Sequence, residues 1–412
     1  MTGTAACLEP TIIWCLPRSC STAFERAFIQ RSHDTITFHE PTGDAAYFSK
    51  ERQIYRFKEK ECRSDPHRYE RGLKEVMEDL VQGKGKDIGG KKYIFIKDMA
   101  QYIFPASTLQ ALHPGSRVYH PTSPEYQPPV KPSEPVVKTP LPDFSKPLAA
   151  DFGTSVKSNP TALPTALLRQ FKHTFLIRTP NKSVLSYYKC AQEGAGGFEY
   201  FDGAEAGYKE LALLHAWISN PQSDFHVDAD AAASNKEDGQ EHVSRKKRGV
   251  GTDGVPISQP MPPPLIEAST LLAEPNHVLE QYCNAIGIPF YKGMLSWESS
   301  KKKEATDADV KAQVDANRRT VYKENGNANV EVNGSSNASL ADFAKWGTYH
   351  RVAEESTGFR KESTPANGAG DNVGATEKEP LLPKEVQETI EANKSAYDYL
   401  LSNQTIHLHA TA

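Results

Sequence analysis

Charged and hydroxyl residues follow the short apolar runs of the sequence, and they are the residues best able to do chemistry. Guanidinium and ammonium groups bind anions, whereas histidine and carboxylate side chains accept protons. The set can therefore bind an anion and move a proton. Its members are Arg18, His39, Glu40, Lys97, Asp98, Arg178 and Ser186.

The loop 17–22, Pro17-Arg18-Ser19-Cys20-Ser21-Thr22, is the centre of this set. The apolar run 11–16 before it predicts a buried strand, and the apolar residues 23, 24, 27 and 28 after it recur at helical spacing. A helix N-terminus presents unpaired N–H groups and suits a phosphate or sulfate. Ser19, Ser21 and Thr22 can cap the helix or donate to an anion, and Arg18 adds a positive charge.

Two other phosphate loops do not fit this stretch. The Walker loop needs Gly and Lys residues that the stretch lacks. Cys20 and Arg26 have the spacing of a cysteine phosphatase loop, but no Gly lies between them and Arg26 falls inside the predicted helix. An ordinary helix start, with a serine cap and Arg18 facing water, stays open as an alternative.

The elements that must position these residues alternate between strand and helix. Further strands are predicted at 35–38, 93–96, 171–177 and 265–268, and the clearest helices begin at Pro180, near Tyr208 and at Pro275. The alternation predicts an α/β fold with three layers, α/β/α, around a central parallel sheet. Ligands of such sheets bind beyond the carboxyl ends of the strands.

Two finer expectations concern the second strand. We expect it to lie beside the strand of Arg18. Because neighbouring strand residues point to opposite faces, we expect only one of His39 and Glu40 to reach the site.

The 412 residues predict a single domain, 1–412, that carries long low-complexity insertions. We place these insertions at about 115–160, 220–264 and 299–340. The first holds nine prolines between positions 121 and 147, and we expect that stretch to build no core. A linker at 361–382 and a C-terminal helix at 383–402 complete the chain.

Composition excludes several classes of protein. The net charge of −4 argues against a nucleic-acid binder. No apolar run is long enough to span a membrane, and the N-terminus has no secretory signal, so a cytoplasmic protein is expected. The six cysteines form neither a disulfide framework nor a zinc pattern, and we expect no metal cofactor. His215 has no ligand partner at suitable spacing and is predicted to lie at the edge of the core.

The loop and the later segment 178–187 together resemble the P-loop sulfotransferase family, in particular its bacterial and fungal members. The sequence Arg178-Thr179-Pro180-Asn181-Lys182-Ser183-Val184-Leu185-Ser186-Tyr187 is similar to the family pattern Arg-Asn-Pro-x-x-x-x-x-Ser-Tyr. The segment 265–297 is also similar to a late strand–helix unit of that family. Three positions differ from its usual residues, namely Thr179 for Asn, Arg18 for Lys and Cys20 for Gly.

The resemblance implies a P-loop nucleotide-binding fold and the co-substrate 3′-phosphoadenosine 5′-phosphosulfate. It implies that residues 17–22 bind the 5′-phosphosulfate and that Arg178 and Ser186 bind the 3′-phosphate. The reaction would move a sulfuryl group to the hydroxyl or amine of a small-molecule acceptor. Alternatives are a non-catalytic nucleotide-binding protein and, with less support, a P-loop kinase or NTPase.

The same resemblance implies how the transfer is assisted. Arg18 supplies charge, and either His39 or Glu40 accepts the proton of the acceptor. Some members of the family have a carboxylate base after the second strand, which favours Glu40. Glu40 could instead form an ion pair with Arg18 that orders the loop. Lys97 could contact the leaving phosphate or pair with Asp98.

Overall fold

The computed structural model describes residues 8–129, 141–226, 259, 261–299, 349–359 and 382–409. Within them, five strands form one parallel sheet in the order β2-β3-β1-β4-β5. All carboxyl ends therefore lie at one edge of the sheet. The strands are β1 Glu9–Cys15, β2 Thr35–His39, β3 Tyr93–Met99, β4 Lys172–Ile177 and β5 Leu265–Glu267.

Helices connect the strands and follow the last of them. Those between β1 and β4 are α1 Ser21–Ile29, α2 Gly43–Phe48, α3 Glu59–Cys62, α4 Pro66–Glu70, α5 Leu73–Val81, α6 Ala106–Leu112, α7 Phe152–Ser155 and α8 Thr165–Leu168. The others are α9 Pro180–Gln192, α10 Tyr208–Ser219, α11 Ala268–Ala273, α12 Pro275–Ile286, α13 Arg351–Glu354 and α14 Lys384–Ser402.

Helices cover both faces of the sheet, as the alternation of elements predicts. On one face Phe28 of α1 stacks on Phe95 of β3 with ring centroids 3.8 Å apart, and Tyr282 of α12 packs edge-on against Phe28. On the other face Phe175 of β4 packs against His215 of α10. His215 is buried and its pKa is lowered by burial to about 3, so it belongs to the core. The architecture is an α/β fold.

The strand order corrects one expectation. β2 pairs with β3, and β3 pairs with β1, so the strand of His39 does not lie beside the strand of Arg18. β3 separates them and contributes Lys97 opposite His39. Hydrophobic patterning finds strands but gives no signal for which parallel strands are neighbours.

The element boundaries agree closely with the sequence in several places. α9 begins at Pro180, α12 ends before Gly287 with φ 77, and α14 covers the predicted C-terminal helix. Between β3 and α6 the chain forms a short 3-10 turn, Ala100–Ile103, and helical structure is then broken before α6. Pro105 explains the break, because it precedes α6 in an extended conformation and interrupts helical hydrogen bonding.

The proline-rich stretch 121–147 does contribute to the core, contrary to expectation. Phe144 is buried and packs edge-on against Phe152, while its carbonyl accepts a hydrogen bond from Ser395 of α14. Earlier in the same predicted insertion, Val118 and Tyr119 are fully buried. Most of the second and third insertions and of the 361–382 linker lies outside the described residues.

Among the described helices, none combines the length and the apolar character that crossing a membrane requires.

Candidate anion and proton-transfer site

The loop after β1 turns sharply into α1. Cys20 precedes α1 with φ 67, a left-handed conformation, and no side chain caps the helix. The Ser19 hydroxyl donates to the Leu16 carbonyl at 2.7 Å instead, so the structure does not form the serine cap of the alternative interpretation. Burial raises the pKa of the Cys20 thiol although Arg178 and Arg18 oppose this, which favours the thiol over a nucleophilic thiolate.

Non-glycine residues with left-handed backbone are concentrated at this site. In the described part of the chain, the non-glycine residues with positive φ are Arg18 at 63°, Cys20 at 67° and Glu40 at 44°. All three border one cavity. Such conformations cost free energy for residues with a Cβ atom, and they persist where the surrounding structure holds them. The strain therefore lies where the sequence places its chemistry.

The arginines at the ends of β1 and β4 lie close together. Arg178 Nη1 donates to the Arg18 carbonyl at 2.9 Å, and both side chains line the cavity. Arg18 Nε donates to Ser186 Oγ at 2.9 Å, and its Nη1 donates to the carbonyl of Tyr349. The structure thus brings Arg18, Arg178 and Ser186 together, with Ser186 bonded to Arg18.

The cavity has a volume of about 380 Å³ and a largely apolar wall that includes five Tyr and Phe residues. Its polar lining includes two buried atoms without a hydrogen-bond partner among the described residues, the Tyr349 hydroxyl and the Gln101 side-chain oxygen. Unsatisfied buried polar atoms are uncommon and are suited to bind a ligand. The aromatic residues of the wall are Tyr47, Tyr102, Tyr187, Phe198 and Tyr349.

Glu40 and Lys97 form a buried ion pair on the wall facing the cavity. Burial lowers the pKa of Lys97, but the charges of Glu40, Cys15 and Glu25 and the hydrogen bond to Glu40 together outweigh burial, so the pKa lies above its ordinary value. The alternative pairing of Lys97 with Asp98 is absent from the described contacts. Asp98 accepts hydrogen bonds from the Thr42 amide at 3.0 Å and hydroxyl at 2.7 Å, and burial raises its pKa to about 7.

His39 lies one layer behind Glu40. Its Nε2 is 3.8 Å from Glu40 Oε1, because the left-handed conformation of Glu40 breaks the alternation of the strand. Only Glu40 borders the cavity. His39 contacts Glu25 of α1 through Nδ1 and His350 through Nε2.

Sequence reasoning missed several residues that complete the site. His350 and Tyr349 arrive from the 349–359 segment, more than 300 positions after the loop, and no local motif marks them. Glu205, also on the cavity wall, accepts hydrogen bonds from Tyr47 at 2.9 Å and Tyr187 at 2.7 Å and pairs with Arg56. Glu25 was detectable as an acidic residue beside the apolar stripe of the first helix.

Arg26 binds the 349–359 segment to α1 and does not reach the 17–22 loop. Its guanidinium donates to the carbonyls of Ala353, Glu354 and Glu298 at 2.6–2.7 Å. This agrees with the exclusion of a cysteine phosphatase loop.

Two groups of side chains have the spacing of metal ligands. One ligand atom each of His39, Glu40 and His350 lies within 4.8 Å of the others, and the same holds for a more exposed group of Glu274, His277 and His409. In the first group, the Lys97 ammonium on Glu40 opposes a second cation.

Comparisons of the chain with protein-family models, curated proteins and solved structures gave no match.

Proposed function

We propose that this protein transfers a sulfuryl group from 3′-phosphoadenosine 5′-phosphosulfate to a hydroxyl or amine of a small-molecule acceptor. The observation that carries the proposal is the pair Arg18 and Arg178, two guanidinium groups from the ends of adjacent parallel strands on one cavity. Each can bind one anionic group of a donor that has two of them.

The surroundings of the arginines support a donor with phosphates at both ends of its ribose. The loop 17–22 leads into the N-terminus of α1, where backbone N–H groups favour a phosphate or sulfate. Ser186 accepts from Arg18 and retains its own O–H donor for a second anion. In this assignment the loop and Arg18 bind the 5′-phosphosulfate, and Arg178 with Ser186 binds the 3′-phosphate.

The remaining wall supports an acceptor with an apolar or aromatic body. Aromatic rings stack on planar groups, and the unpartnered oxygens of Tyr349 and Gln101 can bind its polar substituents. The acceptor oxygen or nitrogen bonds to sulfur while the bond from sulfur to the 5′-phosphate oxygen breaks. Two places on the wall can take the acceptor proton, the Glu40 carboxylate and the contact between Thr22 and His350.

Nucleotide binding tests the class of donor. We expect 3′,5′-adenosine bisphosphate to bind about 10- to 1,000-fold more tightly than 5′-AMP or ATP, because a hydrogen bond to a charged group contributes about 1.5–3 kcal/mol. Thermal-shift titrations of all three nucleotides measure this. Equal shifts would contradict the assignment, and a preference for ATP with Mg²⁺ would favour a kinase or NTPase.

Transfer itself needs a second assay. We expect radiolabelled sulfate to move from the donor to a member of a panel of phenols, alcohols and amines. Tight binding of the bisphosphate with no transfer to any acceptor would instead favour a non-catalytic nucleotide-binding protein.

A further inference from the structure

Four buried side chains form a continuous chain of hydrogen bonds from the cavity into the protein. Thr22 Oγ1 lies 2.8 Å from His350 Nδ1, His350 Nε2 lies 3.1 Å from His39 Nε2, and His39 Nδ1 lies 2.6 Å from Glu25 Oε2. Thr22 and His350 border the cavity, whereas His39 and Glu25 lie behind it. No sequence motif joins these residues.

The chemistry of the groups sets the direction of every hydrogen bond. An ionised carboxylate only accepts, so His39 Nδ1 carries a hydrogen toward Glu25. A neutral His39 then accepts at Nε2, and His350 must donate from its own Nε2. A neutral His350 accepts at Nδ1, so the Thr22 hydroxyl donates to it. The bonds run one way, from Thr22 through His350 and His39 to Glu25.

We propose that Thr22, His350, His39 and Glu25 form a proton relay that takes the acceptor's proton at Thr22 and holds it on His39. The inference rests on the proposed sulfuryl transfer. As the acceptor oxygen bonds to sulfur, its proton moves to Thr22 Oγ1, the Thr22 proton moves to His350 Nδ1, and the proton on His350 Nε2 moves to His39 Nε2. His39 becomes an imidazolium beside the Glu25 carboxylate. A lone pair of the acceptor oxygen forms the new bond to sulfur, the electrons of its O–H bond stay on that oxygen, and the bond from sulfur to the 5′-phosphate oxygen breaks with its electron pair on the phosphate.

The neighbouring charges agree with this path. Burial together with the charges of Lys97 and Arg18 lowers the pKa of His350 well below its ordinary value, so His350 passes the proton on and does not keep it. His39 has Glu25 against it as the counter-charge. Glu40, the other candidate, already accepts from the Lys97 ammonium. The charged groups that face the two imidazoles are Glu25, Glu40, Lys97 and Arg18.

Histidine tautomers test the relay without any turnover. In ¹⁵N NMR of the full chain with labelled histidine, we expect His39 to be protonated at Nδ1 and His350 at Nε2 near neutral pH. Single His39→Gln and His350→Gln variants assign the signals. The opposite tautomer at either residue would overturn the relay.

Kinetics test its role in the reaction. Thr22→Val keeps the shape of the side chain but removes the hydroxyl, and we expect kcat to fall about 10²- to 10⁴-fold. Thr22→Ser keeps the hydroxyl and should recover most of this loss. A Thr22→Val enzyme with normal kcat would overturn the relay, and a normal Thr22→Val beside an inactive, folded Glu40→Gln would assign the proton to Glu40.

Glu25 is a positioning residue, and the pH profile separates its role from a structural one. Protonated His39 cannot accept a proton, so kcat falls at acid pH. Glu25→Gln removes the charge that stabilises the His39 imidazolium. We therefore expect a lower maximal kcat, and we expect the fall of kcat at acid pH to begin at a lower pH than in the wild type. Glu210→Gln is the matched control, because Glu210 contacts His113 at the same 2.6 Å but does not border the cavity.

The proposed function and the relay fail in different ways. A wild-type protein that transfers no sulfuryl group to any acceptor overturns the proposed function. An active wild-type enzyme whose acid limb is the same in Glu25→Gln, or whose histidine tautomers are reversed, overturns the relay alone.

Discussion

Two parts of the sheet edge handle charge in different ways. At the ends of β1 and β4, Arg18, Arg178 and Ser186 form what we call the arginine edge, where the side chains are half-buried and the two guanidinium groups border the cavity. At β2 and β3, His39, Glu40 and Lys97 form the ion-pair edge, where the side chains are buried and each charge has a neighbour of opposite sign or an imidazole.

The difference separates binding from chemistry. Half-buried cations keep part of their hydration and can exchange their protein contacts for an anionic ligand at moderate cost. Buried charges are costly to leave without a partner, so the ion-pair edge holds a fixed arrangement in all stages of a reaction. We infer that the arginine edge sets affinity for the donor, whereas the ion-pair edge and the relay behind it set the position of protons.

The largest expected effect tests the ion-pair edge. Glu40→Gln or Lys97→Met should each lower the free energy of unfolding by about 3–5 kcal/mol, because each leaves an opposite charge buried and uncompensated. The double variant should recover much of that loss. Urea unfolding of the two single variants and the double variant measures the coupling.

An exposed ion pair provides the control for this cycle. Lys50 and Glu70 are 2.6 Å apart, with side chains 45% and 62% exposed, and their removal should change stability little. If the Glu40 and Lys97 variants change the free energy of unfolding as little as the Lys50 and Glu70 variants do, the two buried charges do not depend on each other. The contrast between the two edges is then wrong.

The arginine edge was largely predictable from the sequence. The loop 17–22 follows a run of β-branched and aromatic residues, and Arg178 precedes a proline that begins a helix, so both positions can be assigned from local pattern. Parallel strands then bring their ends to one edge of the sheet. Ser186 was expected to act with Arg178 but accepts a hydrogen bond from Arg18. This contact depends on side-chain directions that the spacing of residues does not encode.

The ion-pair edge was predictable only in part. His39, Glu40 and Lys97 follow strands and were found, but their partners were not. The pairing of Glu40 with Lys97 requires the neighbour relation of β2 and β3, and the contact of His39 with His350 spans 311 positions. Phe144 was missed for a related reason, since proline content says nothing about one aromatic side chain packing on Phe152 of α7.

Arg178 gives the next effect in size. If the proposed donor assignment holds, Arg178→Ala should raise the donor KM about 10- to 100-fold and lower kcat much less, because a 3′-phosphate at Arg178 would be remote from the reacting sulfur and would bind equally in ground and transition states. Steady-state kinetics with a varied donor concentration measures the two parameters. Arg117→Ala, which removes an exposed arginine stacked on Tyr200, is the control.

If Arg178→Ala changes kcat more than KM, Arg178 takes part in the chemical step. Unchanged KM with a collapsed kcat would mean that Arg178 acts at the reacting centre, and the arginine edge would no longer be a binding region.

The smallest expected effect concerns backbone strain at the two edges. Cys20 and Glu40 both have positive φ, but only Cys20 can become glycine without losing a charge, since Glu40 carries the partner of Lys97. Left-handed backbone costs a residue with a Cβ atom about 1–2 kcal/mol, and glycine gives back part of this gain through its greater unfolded-state entropy. Cys20→Gly should therefore stabilise the protein by about 0.5–1 kcal/mol.

Cys20→Ala separates strain from the thiol, because it removes the sulfur but keeps the Cβ atom. Its stability in urea unfolding should stay near that of the wild type, while Cys20→Gly gains. If both variants gain equally, the benefit comes from removing a buried thiol, and the left-handed turn costs little. If neither variant gains stability, the contacts of the loop compensate for the strain at Cys20, and the two edges differ in charge alone.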